Sequence, residues 1–145
     1  MRHPFLLVLF LLAPLALLHC AQDVAELRSD AEQGDAKAQY SLGFLYSKGQ
    51  GVPQDYVEAR KWFLTATEQG HAEAQFNLGV LYDHGQGVPQ DYVTAYAWFN
   101  LAAAQGADNA KKARDIVAEK LDTASLARAQ KLSDEYFKLY VEPFQ

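Results

Sequence analysis

The chain has one cysteine, Cys20, and it closes an apolar leader. The domain that follows can therefore form no internal disulfide and must be held by packing alone. Basic clusters are missing as well. Lys and Arg number 13 against 18 Asp and Glu, a formal net charge of −5 with the positive residues scattered, which argues against a nucleic-acid partner. After the leader only His71 and His84 remain, neither in His-Glu-x-x-His nor beside a second ligand at metal spacing, so no metal or cofactor is expected. No serine opens Ser-x-x-Lys or occupies the centre of Gly-x-Ser-x-Gly, which leaves nucleophilic catalysis without a candidate. Asp134 and Glu135 are adjacent and would point apart on a helix, unlike a general acid/base pair. No Asn-x-Ser/Thr sequon, low-complexity tract or Gly/Ser linker follows residue 21. The mature chain reads as one continuous structured unit.

In the leader, residues 1–20, Arg2 and His3 precede an apolar run from Phe5 to Leu18 interrupted by Pro14. The run is shorter than the roughly 18 to 20 residues a spanning helix needs, and it reads as a secretory signal peptide. Leu17-Leu18-His19-Cys20 resembles a bacterial lipoprotein box, although His19 stands where that box has a small residue. Two outcomes stay open: lipidation of Cys20, or ordinary cleavage near Cys20 or Ala21. Either one exports the product, to the periplasm, the exterior or a membrane anchor.

What the chain does have is a repeat. Gly49-Gln50-Gly51-Val52-Pro53-Gln54-Asp55-Tyr56-Val57 returns letter for letter at Gly85 to Val93, an offset of 36 residues that also separates Gly34, Gly70 and Gly106. A period of this length points to a helical solenoid. Ala38, Leu42, Leu45 and Tyr46, matched by Ala74, Leu78, Leu81 and Tyr82, recur at helical spacing and define a helix A in each unit. Gly43 and Gly79 fall inside these helices at a cost of about 1 kcal/mol each relative to alanine, which implies a helix crossing too close for a side chain. The Gly-x-Gly-Val-Pro loop then stops helix A. Asp55 and Asp91 stand as N-caps of a helix B. Glu58 adds a capping-box partner that Thr94 cannot supply, so the first cap is expected to be slightly the stronger. Helix B carries Tyr56, Ala59, Trp62, Phe63 and Ala66, mirrored by Tyr92, Ala95, Trp98, Phe99 and Ala102, and closes at Gly70 and Gly106. Trp62 and Trp98 lie on its core stripe.

The run Ala-x-Ala-Gln-[Tyr/Phe]-x-Leu-Gly, continued through Tyr-x-x-Gly-x-Gly-Val-Pro-Gln-Asp-Tyr to Trp-Phe and Gln-Gly, resembles the Sel-one-like repeat, a relative of the tetratricopeptide repeat. The resemblance implies an all-α fold, a right-handed α-solenoid of antiparallel helix hairpins. The units are then an N-terminal capping helix at 21–34, repeat 1 at 35–70, repeat 2 at 71–106, and a degenerate repeat with a C-terminal capping helix at 107–142, about seven helices in all. In the third unit Asp115 stands where the glycine belongs and Lys112 where the aromatic belongs, so it is degenerate or slipped by a residue. The last helix is expected over Thr123 to Tyr140, capped by Asp122 or Thr123, with Leu126, Ala129, Leu132, Tyr136 and Leu139 on its apolar face and order stopping at Pro143.

The resemblance also implies function by surface, with the A helices lining a concave groove for a protein or peptide and no enzymatic activity. The groove stripe is Lys37, Tyr40, Ser41, Phe44 and Lys48 in the first unit, and Glu73, Phe76, Asn77, Val80 and His84 in the second. Tyr40, Phe44 and Phe76 are the candidate aromatic anchors, against the plainer reading in which Tyr40 and Phe76 pack on the preceding helix. An alternative of another class is a structural or self-associating envelope protein. A cysteine-rich branch of the family is linked to β-lactam hydrolysis, but this chain lacks the cysteine pair per repeat that marks that branch.

Overall fold

The computed structural model describes residues 22–145. The signal segment, its cleavage region and Cys20 lie outside the described residues. The described chain is helical over 22–32, here α1. It continues as α2 (Ala36–Lys48), α3 (Tyr56–Thr67), α4 (Ala72–His84), α5 (Tyr92–Ala104), α6 (Asp108–Ala118) and α7 (Thr123–Tyr140), with a 3-10 turn at Glu142–Phe144. From α2 to α6 each helix packs on the next, so the fold is an all-α solenoid in which α2, α4 and α6 are A helices and α3 and α5 are B helices.

Helix ends follow from local chemistry. Asp35 accepts the Ala38 amide at 2.7 Å, and Asp122 accepts that of Ser125 at 2.7 Å. Asp55 accepts the amides of Val57 and Glu58 at 2.9 and 3.1 Å, and Asp91 those of Val93 and Thr94 at 2.9 and 3.2 Å. The capping-box bond expected of Glu58 is absent. A capping box needs the N-cap's own amide, yet Asp55 N–H already donates to Tyr46 O and Asp91 N–H to Tyr82 O. Glu58 instead pairs with Lys61, and the Thr94 hydroxyl donates to the Asp91 carboxylate at 2.7 Å.

The interior glycines mark the close crossings expected of them. A Cβ built at Gly43 would lie 2.8 Å from the Phe63 ring, and one at Gly79 would lie 2.6 Å from the Phe99 ring. Phe63 and Phe99 are fully buried there, each stabilising the stack by about 2 to 3 kcal/mol. Glutamines tie each hairpin further. Buried Gln39 accepts from Gln69 at 2.8 Å and donates to Ala31 O at 3.0 Å, and buried Gln75 accepts from Gln105 at 2.6 Å. The repeated loop packs between units as well. A Cβ at Gly87 would lie 2.7 Å from the backbone of Tyr56, and Gln86 donates to the Tyr56 hydroxyl at 3.1 Å.

The third unit is degenerate without being slipped. α6 starts at Asp108, 36 residues after Ala72, and its two buried positions, Ala110 and Val117, continue the Ala38/Ala74 and Leu45/Leu81 columns. α7 does not repeat the geometry of a B helix. It packs on α5, setting Tyr136 and Tyr140 against Trp98 with ring centroids 4.4 and 5.3 Å apart. Beyond it Val141 is buried, and Phe144 reaches back to repeat 1, where a Cβ at Gly70 would touch its ring at 2.8 Å. Two expectations are thereby corrected. Leu139 is 62% exposed, because the packed face runs through Ala129, Ser133, Tyr136, Phe137 and Tyr140. Order does not stop at Pro143, which opens a 3-10 turn where its missing N–H is not needed. Trp98 is buried at 2% exposure, whereas Trp62 is half-buried against the cluster of Ala31, Ala38 and Leu42.

Candidate functional site

The A helices keep the 36-residue period at their starts, Ala36, Ala72 and Asp108, and this brings one face of three helices into register. Between them lies a cavity of about 350 Å³ lined by Tyr40 and Phe44 of α2, by Glu73, Phe76 and Asn77 of α4, and by Ala107, Asp108 and Asn109 at the start of α6. A smaller recess of about 100 Å³ adjoins Asn77 and is lined in part by Lys48, Val80 and Gln86.

Of the ten candidate groove residues, Tyr40, Phe44, Glu73, Phe76 and Asn77 share the larger cavity, and Lys48, Asn77 and Val80 share the smaller. Lys37 and His84 are exposed and Ser41 is half-buried, and these three line neither. Tyr40 and Phe76 pack on the following helix or the turn after it, not on the preceding helix. Tyr40 stacks on His71 at 4.8 Å and packs toward Phe63 at 6.0 Å, and Phe76 packs on Phe99 at 5.4 Å. Both remain only half-buried and present their remaining surface to the cavity. Phe44 sits 6.5 Å from Tyr40, and the Lys48 ammonium lies 5.6 Å from its ring centroid, a cation–π contact within the groove.

Polar groups around the cavity are partly committed. Asn77 Nδ2 donates to Glu73 O at 2.9 Å. The Glu73 carboxylate lies 3.3 Å from His71 Nδ1, but out of line for a hydrogen bond, so that buried nitrogen has no hydrogen-bond partner. His84 Nδ1 contacts Val80 O at 3.0 Å. At the far end of α6, Lys120 donates to Asp83 at 2.8 Å and lies over the Tyr92 ring, and the bond to Asp83 raises its pKa. Among the described residues no group of three or more His, Cys, Asp or Glu could hold a metal ion, and no helix is long and apolar enough to cross a membrane.

The contribution of α6 to the cavity went unseen in the sequence. Lys112 and Asp115 break the motif, yet the 36-residue offset places Asn109 opposite the Lys37/Glu73 column and would have found it.

The family model for the Sel1 repeat matches residues 36–71 and 72–106. This is a Sel1-like repeat helical protein. The Sel1-like chain is also similar to two solved structures. It is 35% identical to c5321, a protective antigen present in uropathogenic Escherichia coli strains that displays an SLR fold, with a TM-score of 0.81 over 85% of this chain and 27% of that one. It is 41% identical to a Sel1 repeat protein from Oxalobacter formigenes, with a TM-score of 0.61 over 63% of this chain and 27% of that one. The chain thus spans about a quarter of the length of either. No curated protein matches it. Sel1 repeats are typically protein-interaction modules rather than enzymes, and the two matched repeats supply α2 and α4 of the cavity wall.

Proposed function

We propose that this Sel1-like protein is a non-enzymatic binding module, exported to the bacterial envelope, that holds a protein or peptide segment in the groove of α2, α4 and α6. The observation that carries the reading is the cavity itself. Three aromatic rings from two repeats converge on one concavity and keep exposed surface there, and interface centres favour such rings. Tyr96, Trp98 and Phe99 of α5, by contrast, are buried. Export rests on the leader, and the likeness to a protective antigen is in keeping with a station outside the cytoplasm.

Proximity capture from intact cells tests both parts. The wild type is compared with a Phe44→Ala/Lys48→Ala variant, with a lipid precursor fed in parallel. Loss of an envelope partner in the variant at equal protein level is the expected result. Unchanged capture counts against the groove, capture of cytoplasmic proteins alone counts against export, and absence of label removes lipidation of Cys20.

A further inference from the structure

The chemistry of the cavity wall narrows the occupant. Tyr40, Phe44 and Phe76 supply three ring systems, while the ionisable groups lining the cavity beside them are the carboxylates of Glu73 and Asp108, with no Lys, Arg or His. Among the described residues Asp108 makes no ion pair or side-chain hydrogen bond, and Glu73 has only the misaligned His71 beside it. Asn77 spends one of its two amide N–H groups on Glu73 O. Its second N–H, the Asn109 amide and the Tyr40 hydroxyl leave the lining with neutral donors, so its distinctive features are the π-faces and the two carboxylates. A position in the first turns of α4 and α6 complements the helix dipoles and accounts for the acidic residue types. It does not account for their lying beside three partly exposed rings. Phe44 already holds one ammonium, that of Lys48, which lines the adjoining recess instead of this cavity. The formal charges on the cavity lining are thus negative, at the starts of α4 and α6.

We infer that the larger cavity takes an arginine side chain of a partner segment, its guanidinium stacked on the aromatic rings and bonded to Glu73 or Asp108. A planar guanidinium satisfies both features of the wall at once, since it stacks on rings and donates in a fork to carboxylates. This inference rests on the groove reading above and goes beyond it by naming the recognised group.

The test is a titration of ¹⁵N-labelled protein with acetyl-Ala-Ala-Arg-Ala-Ala-amide and with the same peptide carrying citrulline, which keeps the shape and removes the charge. Amide shifts at Tyr40, Phe44, Phe76 and Asn77 are read by NMR. The arginine peptide should bind roughly tenfold more tightly than the citrulline peptide, as expected for the loss of a cation–π contact and a charge-assisted bond. Its affinity should fall with added salt. In a Glu73→Gln/Asp108→Asn variant, whose substitutions lie at exposed positions, the preference for arginine should shrink to the share of the cation–π contact, about threefold, while the fold is kept. Equal binding of both peptides to the wild type, abolished by Phe44→Ala, overturns the charge recognition and leaves the groove reading standing. Absence of shifts at these amides with either peptide at millimolar concentration overturns both.

Discussion

A methyl group at Gly79 would meet the Phe99 ring at 2.6 Å, and one at Gly43 would meet Phe63 at 2.8 Å. In each repeat the glycine and the phenylalanine are 20 residues apart, and they work as a pair in which the ring fills the space the missing side chain leaves. The third unit loses both members together: Asp115 replaces the glycine and Glu135 the phenylalanine. That joint loss explains why α7 leaves the B-helix position and packs on α5. Gly79→Ala should therefore destabilise the protein by up to about 2 kcal/mol, an overpacking cost of about 1 to 3 offset by about 1 from helix propensity. Asp115→Ala, at the equivalent but unlocked position, should be neutral or stabilising by about 0.5 kcal/mol. Urea unfolding of both variants measures this, and equal midpoints would sink the lock. At this scale the sequence was readable wherever a residue's role is local. Asp55, Asp91 and Asp122 cap as their positions imply. The absence of a capping box at Asp55 was not readable, because it depends on which carbonyl, Tyr46 O, captures the aspartate amide.

Among the elements, α7 is the one whose existence and limits the sequence predicts but whose placement it does not. Its apolar residues support two faces: steps of three and four from Ala129 lead either to Leu139 or to Tyr140. The structure takes the second, because Trp98 of α5 offers an indole against which Tyr136 and Tyr140 pack. Burial pushes the Tyr136 pKa up to about 12, with the neighbouring Tyr82 and Tyr140 adding to the shift. A phenol whose folded pKa lies above its unfolded value of about 10 stabilises the fold fully below that value. The contribution is lost as pH rises from about 10 through about 12, because the unfolded chain releases the proton first. Thermal melting from pH 9 to 12 should show stability falling across that window, with a shallower fall in Tyr136→Phe. Identical slopes for the two proteins would mean that α7 does not hold Tyr136 against α5 as described.

For the whole molecule, the consequence of this placement is that the C-terminal segment bridges units. It starts beside α6, lies along α5, and ends with Phe144 on Gly70 at the close of repeat 1. A solenoid whose repeats touch only their neighbours unfolds with limited cooperativity, and a segment that spans non-adjacent units couples them. The outer side of α6 needs no such cover, since Lys111, Lys112, Asp115 and Glu119 make it polar, although Ile116 is 57% exposed there. The A-helix groove, read from the repeats, lies along α2, α4 and α6, while the segment lies along α5, so the two can be separated by experiment. Removing residues 122–145 should uncover Trp98, shifting its fluorescence to the red in a Trp62→Phe background. It should also replace one sharp denaturant transition by a broader one with a smaller slope, since less surface is exposed in each cooperative step. A Phe44→Ala variant should leave emission and slope unchanged. A truncated protein that stays soluble and unfolds in one transition of the original slope would show that the two repeats are coupled through α3 and α4 alone.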